Sequence, residues 1–366
     1  MKRIIYLFVL IAFITACSSE PHYVLKGNIE GSDSITFILQ KREAGKIVTI
    51  DSALSKNGTF KMTGVVTYPS LVYLSARNTR YRLDFYIENA DINITGKLDS
   101  LDVAKVTGSK TQNEFKAYND SYKLLEDRYT SLDQEYQSAR EAKDDVKLAR
   151  IEKDAEAIGI EMTKLQKDFV TNNPASYVTP DIIRGLIYDM ELEELDASLN
   201  VLDTNVAKVP VVTELKDHVK ILKTVAIGMK APDFTLNDVN GNPVALSSKI
   251  GSKLLLIDFW AAWCGPCRRE NPNVVKVYNQ FNKKGFDVLG VSLDKTRDAW
   301  LKAIADDKLA WTHVSDLQYW SNAAARLYGV NSIPANFLLD ETGTIIAKNL
   351  REAALYDKVN ELLGKK

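Results

Sequence analysis

The segment that most constrains this chain is IDFWAAWCGPCRRE, residues 257–270, where an apolar run leads directly into two cysteines separated by two residues. The run LLLIDFW has the length and composition of a buried strand. We predict that a helix follows from Cys264 to Lys284, with Pro266 in its first turn, where the missing backbone N–H breaks no hydrogen bond. A buried strand that passes straight into a helix is typical of an α/β domain.

Changes in residue pattern divide the chain into regions. Residues 23–108 carry short runs of β-branched and aromatic residues separated by turn signals such as Asn57-Gly58, and they predict an all-β domain. Residues 109–226 show helical periodicity and predict a helical region. Strands and helices alternate over 227–366, which predicts a mixed sheet with helices on both faces, closed by a hairpin at Thr342-Gly343. In that last domain we predict further helices over Arg297 to Asp306, around Asn322 to Tyr328, and near Leu355 to Leu363.

An aromatic stripe with steps of three and four residues runs through the start of the helical region. Its members are Phe115, Tyr118, Tyr122, Leu125, Tyr129, Leu132 and Tyr136. The stripe predicts one long helix, or a helical hairpin that turns near Asp144. It favours packing against a helix of the same chain, and dimerisation through the helical region is the alternative.

The N-terminal residues have the pattern of an export signal. Two basic residues precede the apolar run Ile4 to Ile14, which is shorter than the roughly 20 residues that span a bilayer but suits a signal peptide. The run ends in Ile14-Thr15-Ala16-Cys17, which resembles the bacterial lipobox. We therefore predict a signal peptide over 1–16, lipidation of Cys17 and a tether over 17–22; an ordinary secretory peptide is the alternative.

Composition and cysteine usage limit the chemistry. With 47 basic and 48 acidic residues, the chain has no excess positive charge that would favour binding to nucleic acid or to an anionic membrane surface. We therefore expect contact with a membrane through the lipid anchor only. A zinc site needs about four ligands, but His218 and His313 are isolated, so we expect no metal and no other cofactor. A purely structural bridge between Cys264 and Cys267 would constrain little of the unfolded chain. These considerations favour a redox pair.

The strand-to-helix setting gives the two cysteines different roles. A helix N-terminus supplies unpaired N–H groups and a partial positive charge, which stabilise a thiolate. Cys264 is therefore expected to be the exposed nucleophile. Cys267, one turn further on, would resolve a mixed disulfide by attacking Cys264. Gly265 and Pro266 set the geometry of that approach.

The sequence FWAAWCGPC resembles the active site of thioredoxin. The domain over 227–366 is similar to TlpA/ResA-like thioredoxin-fold proteins, which are related to the AhpC/TSA redoxins, because APDFTL, LLLIDFWAAWCGPCRRE and LYGVNSIPANFLLDETGTIIAKNL occur in the expected order. The β-rich and helical regions resemble an N-terminal module of unknown function. The resemblance implies a thioredoxin fold at the C-terminus and a thiol-disulfide oxidoreductase with a redox disulfide Cys264-Cys267.

The resemblance also implies roles for residues around the cysteines. Trp263 corresponds to the tryptophan beside the active site. Ile333 and Pro334 correspond to the cis-proline loop, which binds the substrate backbone. Asp258 corresponds to the buried acid of thioredoxin, and Glu270 to an acid that ResA-like proteins place behind the motif.

The presence of both acids raises the question of which one transfers the proton. The lysine that thioredoxin sets near its buried aspartate is absent, since the corresponding strand reads VLGVSL. Desolvation without that partner should raise the pKa of a buried carboxyl and suit it to acid–base work near neutrality. We expect Asp258 to be primary and Glu270 to assist, with Arg268 and Arg269 solvated.

The resemblance implies a function in the bacterial cell envelope, on the periplasmic face. Gly-Pro is also the dipeptide of thioredoxin, a reductant at about −270 mV. We therefore predict a reductase of protein disulfides, with apocytochrome c among the candidate substrates, recharged by a membrane thiol-disulfide electron donor.

Two alternatives stay open. The first is a thiol peroxidase of the peroxiredoxin type, although the Pro-x-x-x-Thr/Ser-x-x-Cys setting of peroxidatic cysteines is absent before Cys264. The second is a binding lipoprotein whose N-terminal domain is the functional part.

Overall fold

The computed structural model describes residues 22–43 and 45–364. The predicted signal peptide and the predicted lipidation site, Cys17, lie outside these residues. Along the described part of the chain, no helix combines the length and the apolar character needed to cross a membrane.

The described residues form two compact units. The first unit extends to Asp189 and includes Val201–Val209, and the second comprises Met190–Asn200 and the chain from Pro210 onward. Helices of the predicted 109–226 region are therefore shared between the two units.

The first unit contains two four-stranded sheets. Its strands are β1 Tyr23–Glu30, β2 Thr36–Glu43, β3 Lys46–Leu54, β4 Thr59–Gly64, β5 Ser70–Ala76, β6 Arg82–Ile87, β7 Asp91–Lys97 and β8 Lys105–Thr107. The sheet orders are β4-β1-β7-β8 and β3-β2-β5-β6. Alternation along β1 buries Leu25 and Ile29 in the core. Asn57 and Gly58, with φ of 51° and 74°, form the predicted turn before β4.

A helical hairpin follows the sheets, which is the second of the two arrangements predicted for this region. Helix α1 is Lys110–Ala142 and α2 is Asp145–Asn172, and the turn lies at Lys143 and Asp144, whose side chain accepts a hydrogen bond from the backbone of Lys147. The aromatic stripe packs in part within the chain, since the Tyr118 and Phe169 rings lie 5.2 Å apart. The short helix α3, Thr179–Gly185, follows the hairpin in this unit.

The second unit contains a seven-stranded mixed sheet. Its strands are β9 Thr235–Asp238, β10 Pro243–Ala245, β11 Leu254–Trp260, β12 Phe286–Ser292, β13 Thr312–Ser315, β14 Ala335–Asp340 and β15 Ile345–Lys348, in the order β10-β9-β13-β12-β11-β14-β15. Its helices are α4 Leu192–Asn200, α5 Pro210–Thr224, α6 Gly265–Phe281, α7 Arg297–Asp306, α8 Ala323–Leu327 and α9 Glu352–Leu363.

The centre of this sheet is fully buried. Every residue of β11 is buried, and β11 pairs in parallel with β12 and antiparallel with β14. Strand β12 pairs in parallel with β13. The carboxyl ends of β11, β12 and β13 therefore meet at one edge of the sheet, where β14 begins, and this edge carries the candidate site.

Candidate active site

The two cysteines lie at the junction of β11 and α6. Cys264 is the N-cap of α6, and its Sγ accepts a hydrogen bond from the backbone N–H of Cys267 at 3.1 Å. The two sulfurs form a disulfide. Pro266 occupies the first turn of α6, as predicted. This places the sulfur of Cys264 at the positive end of a helix, where a thiolate is stabilised.

The expectation that Cys264 is exposed is wrong for this oxidised form, in which the residue is only 4% exposed. One reason is the loop before β14, since the Cys264 Sγ lies 3.6 Å from the carbonyl oxygen of Ile333. The Ile333-Pro334 peptide bond is cis. The guanidinium of Arg351 donates a hydrogen bond to the carbonyl oxygen of Pro334. Of the two residues predicted from the sequence, Ile333 therefore lies directly against the disulfide through its carbonyl oxygen, and Pro334 follows it in the cis-proline loop.

Asp258 is buried in the middle of β11, between Gly290 of β12 and Asn336 of β14. The pKa of the Asp258 carboxyl is raised to about 7: burial is the largest cause, the negative charge of Glu270 adds to it, and the positive charge of Arg351 opposes the rise. A carboxyl with this pKa exchanges a proton close to neutrality. Arg351 is a charged partner that the sequence did not reveal.

Glu270 is partly buried on α6 and connects this helix to the start of α9. Its Oε1 accepts hydrogen bonds from the side-chain amide of Asn273 at 2.7 Å and from the backbone N–H of Glu352 at 2.9 Å. A cavity of about 630 Å³ opens beside these groups, lined also by Pro266, Pro334 and other side chains of α6 and α9. The acid thus faces a groove next to the disulfide, whereas Asp258 is enclosed.

The expectation that Arg268 is solvated is wrong. Its guanidinium is partly buried and forms a paired ion contact with the carboxylate of Asp307, at the end of α7, with one N–O distance of 2.8 Å. Asn271 donates to the same carboxylate at 2.6 Å. Arg268 also donates to the carbonyl of Ala262 at 3.3 Å. Arg269, by contrast, is exposed, as expected.

The loop between β11 and α6 is also held in place by Asp294, a buried residue that follows β12. Both carboxylate oxygens of Asp294 lie 3.1 Å from the backbone N–H of Ala262, and one accepts from the hydroxyl of Ser292 at 2.8 Å. Burial is the largest cause of a raised Asp294 pKa, and these hydrogen bonds oppose it. Sequence reasoning did not single out Asp294.

Trp263 lies beside Cys264 and remains 46% exposed. Its ring contacts those of Tyr319 and Trp320, with centroid distances of 5.1 Å and 5.8 Å. Tyr319 and Trp320 belong to the loop after β13, and only the fold brings them to the cysteines. Gly265, inside the motif, is exposed.

Residues 227–348 match the AhpC/TSA family, and residues 23–115 match a domain of unknown function, DUF4369. The ResA thiol-disulfide oxidoreductases of Geobacillus thermodenitrificans and Geobacillus kaustophilus are each 33% identical to this chain over 121 residues, which is 33% of this chain and 67% of each relative.

Solved structures are also similar to part of the chain. The thioredoxin domain of a thiol-disulfide oxidoreductase from Bacteroides vulgatus is 38% identical and covers 38% of this chain and 98% of its own length, with a TM-score of 0.36.

Proposed function

Because this chain belongs to the ResA-like thiol-disulfide oxidoreductases, we propose that it reduces disulfide bonds of other proteins, with Cys264 as the nucleophile and Cys267 as the resolving thiol. The observation that carries this proposal is the disulfide at the N-terminus of α6, with the Cys264 sulfur 3.6 Å from the carbonyl oxygen of Ile333. An extended substrate segment that pairs with the backbone at Ile333 would bring its own sulfur to Cys264. The surface on which this substrate segment approaches Cys264 would be formed by Trp263, Gly265 and Pro266.

The proposed reaction consists of two successive thiol-disulfide exchanges. The thiolate of Cys264 attacks one sulfur of the substrate disulfide, so that a Cys264–substrate disulfide forms and the other substrate sulfur leaves as a thiolate. The thiolate of Cys267 then attacks Cys264, which forms the intramolecular disulfide and releases the second substrate thiolate. Two electrons pass to the substrate, and a membrane dithiol donor would return the protein to its reduced form.

Asp258 is proposed to take the proton from Cys267, with Glu270 assisting through the groove. A pKa of about 7 suits Asp258 to this role near neutral pH. Asp258→Asn should slow disulfide reduction about tenfold or more and remove the pH dependence of the rate near pH 7. Glu270→Gln should keep most of that pH dependence. If only Glu270→Gln loses the pH-dependent step, the two assignments are reversed.

The direction of electron flow is tested by the redox potential of the full chain, measured against glutathione and dithiothreitol buffers. A reductase should lie near the −270 mV of thioredoxin, and a value above about −180 mV would indicate an isomerase or oxidase instead. Cys267→Ser should trap mixed disulfides on Cys264 and identify the substrates, apocytochrome c among the candidates. A trap that captures nothing in envelope extracts would contradict the reductase proposal.

We further propose that the chain is anchored in the bacterial envelope, facing the periplasm, through a lipid on Cys17. The domain layout proposed with it is a signal peptide over 1–16, a tether over 17–22, a β-rich domain over 23–108, a helical region over 109–226 and the thioredoxin-like domain over 227–366. Cys17→Ser should abolish labelling by a fatty-acid analogue and release the protein from membranes. Sedimentation of the full chain tests the alternative of a dimer formed through the helical region.

A further inference from the structure

Three aromatic side chains form a continuous patch beside the disulfide. We call Trp263, Tyr319 and Trp320 the aromatic platform. Each ring contacts the other two, with centroid distances of 5.1 Å, 5.8 Å and 5.9 Å. Trp263 is 46% exposed and Trp320 is 37% exposed, whereas the other three tryptophans of the sequence are at most 8% exposed. Exposed tryptophans grouped in this way are characteristic of a binding surface.

The platform and the cis-proline loop lie on opposite sides of the nucleophile. In the sheet order β13-β12-β11-β14, the loop that carries Tyr319 and Trp320 follows β13, while Ile333 and Pro334 precede β14. Cys264 follows β11, between them. A segment that runs along the loop at Ile333 would therefore reach across Cys264 towards the platform.

The loop that carries the platform is held in a strained conformation. Leu317 and Tyr319 have φ of 57° and 55°, in the left-handed region, which costs a side chain other than glycine free energy. The carboxylate of Asp316 offsets this by accepting from the side-chain amide of Asn322 at 2.8 Å and from the backbone N–H of Ala323 at 2.9 Å. Because Asn322 is fully buried, this network fixes the loop before any partner binds.

Two further contacts orient the rings. The ammonium of Lys295 lies 4.2 Å from the centroid of the Tyr319 ring, a cation–π contact. The indole N–H of Trp263 points to the carbonyl oxygen of Leu293 at 3.4 Å. The rings are thus positioned by contacts beneath and beside them, so a partner would bind them with little loss of side-chain entropy.

We propose that the aromatic platform binds an aromatic or branched aliphatic side chain of the polypeptide whose disulfide is attacked by Cys264. This inference rests on the proposed reductase function and adds a substrate preference to it. The occupant follows from continuity with the nucleophile, because the first exchange joins the polypeptide covalently to the residue next to Trp263. In the transition state of that exchange the two sulfurs are already held together, so neighbouring side chains lie over the platform at a high effective concentration and one apolar contact is enough to bias the rate.

The test uses two symmetrical peptide disulfides that differ only in the residue after the cysteine, phenylalanine or serine. Symmetry ensures that attack on either sulfur places the same peptide on Cys264. The reduced full-length protein is mixed with each disulfide, and the second-order rate constant is obtained from the peptide thiol released, two per protein disulfide formed. The proteins compared are the wild type, Trp320→Ser, the conservative Trp320→Phe, and Leu362→Ser, an exposed apolar residue near the end of α9.

The wild type and Leu362→Ser should react about tenfold faster with the phenylalanine peptide than with the serine peptide, because only phenylalanine makes an aromatic contact of the size found at binding hot spots. Trp320→Ser should reduce that ratio to two or less, and Trp320→Phe should restore most of it. An equal rate for both peptides in the wild type, or an unchanged ratio in Trp320→Ser, overturns the platform proposal and leaves the reductase function intact. If the wild type releases no thiol from either peptide, the reductase function itself is refuted.

Discussion

Replacing Asp258 by asparagine should change how the stability of the C-terminal domain depends on pH. In the folded protein the pKa of the Asp258 carboxyl is raised, chiefly by burial, to about 7 from its ordinary value of 3.8. Between these two pH values the folded state keeps the carboxyl protonated, while the unfolded chain releases the proton. The free energy of unfolding therefore falls as pH rises through this window and stays low above it.

The magnitude follows from the separation of the two pKa values. Each pH unit within the window costs about 1.4 kcal/mol, so the wild type should lose roughly 4 kcal/mol across the whole window and roughly 2.5 kcal/mol of it between pH 5 and pH 8. An uncharged asparagine lacks this term. The stability of Asp258→Asn relative to the wild type should therefore increase by about 2.5 kcal/mol from pH 5 to pH 8.

Tryptophan fluorescence provides the assay, because all five tryptophans of the chain lie in residues 260–320 and report on this domain within the intact protein. Urea unfolding is followed for both oxidised proteins at pH 5, 6, 7 and 8. Taking the difference between them cancels other titrations, including that of buried His313, whose pKa burial lowers to about 3 and whose contribution has the opposite sign. A difference that stays constant within about 0.5 kcal/mol from pH 5 to pH 8 would refute a neutral Asp258 in the folded state.

Three other substitutions test the surroundings of the site. Arg351→Gln removes the cation that opposes the pKa rise of Asp258, so the pH midpoint of disulfide reduction should move upward; a downward shift would contradict the electrostatic assignment. Gly290→Ala places a Cβ 2.3 Å from the Nδ1 of His313 and should destabilise the domain by about 1–3 kcal/mol in urea unfolding, and an unchanged midpoint would show that the ring moves freely. Asp307→Asn weakens the ion pair between α6 and α7 and should lower the free energy of unfolding by about 1–3 kcal/mol at pH 7. Salt screens a partly buried pair incompletely, so a difference between the two proteins that disappears entirely at high salt would contradict this prediction.

Much of the catalytic segment could be predicted because its structure is local. The apolar run LLLIDFW forms β11. Helix α6 begins one residue after Cys264 and has Pro266 in its first turn. The predicted helix over Arg297 to Asp306 is α7, and the predicted turn near Asp144 separates α1 from α2. Capping, proline placement and hydrophobic periodicity act between near neighbours, so they are visible in the sequence.

The expectations that failed depend on distant contacts. Arg268 was expected to be solvated, but its partner Asp307 lies at the end of α7. Cys264 was expected to be exposed, but the loop at Ile333 covers it. No local pattern identifies these partners, because they become neighbours only when the strands assemble.

The sequence by itself determined the identity of the reactive pair, since the strand, the CGPC motif and the helix that follows are consecutive in the chain, and its resemblance to TlpA/ResA-like proteins implied the thioredoxin fold of the C-terminal domain. Only the tertiary structure decided the environment of that pair. It placed Arg351 within electrostatic range of Asp258, enclosed that carboxyl and brought Trp320 to the side of Trp263. Burial and electrostatic interaction depend on distance in space, and the order of residues along the chain does not fix that distance.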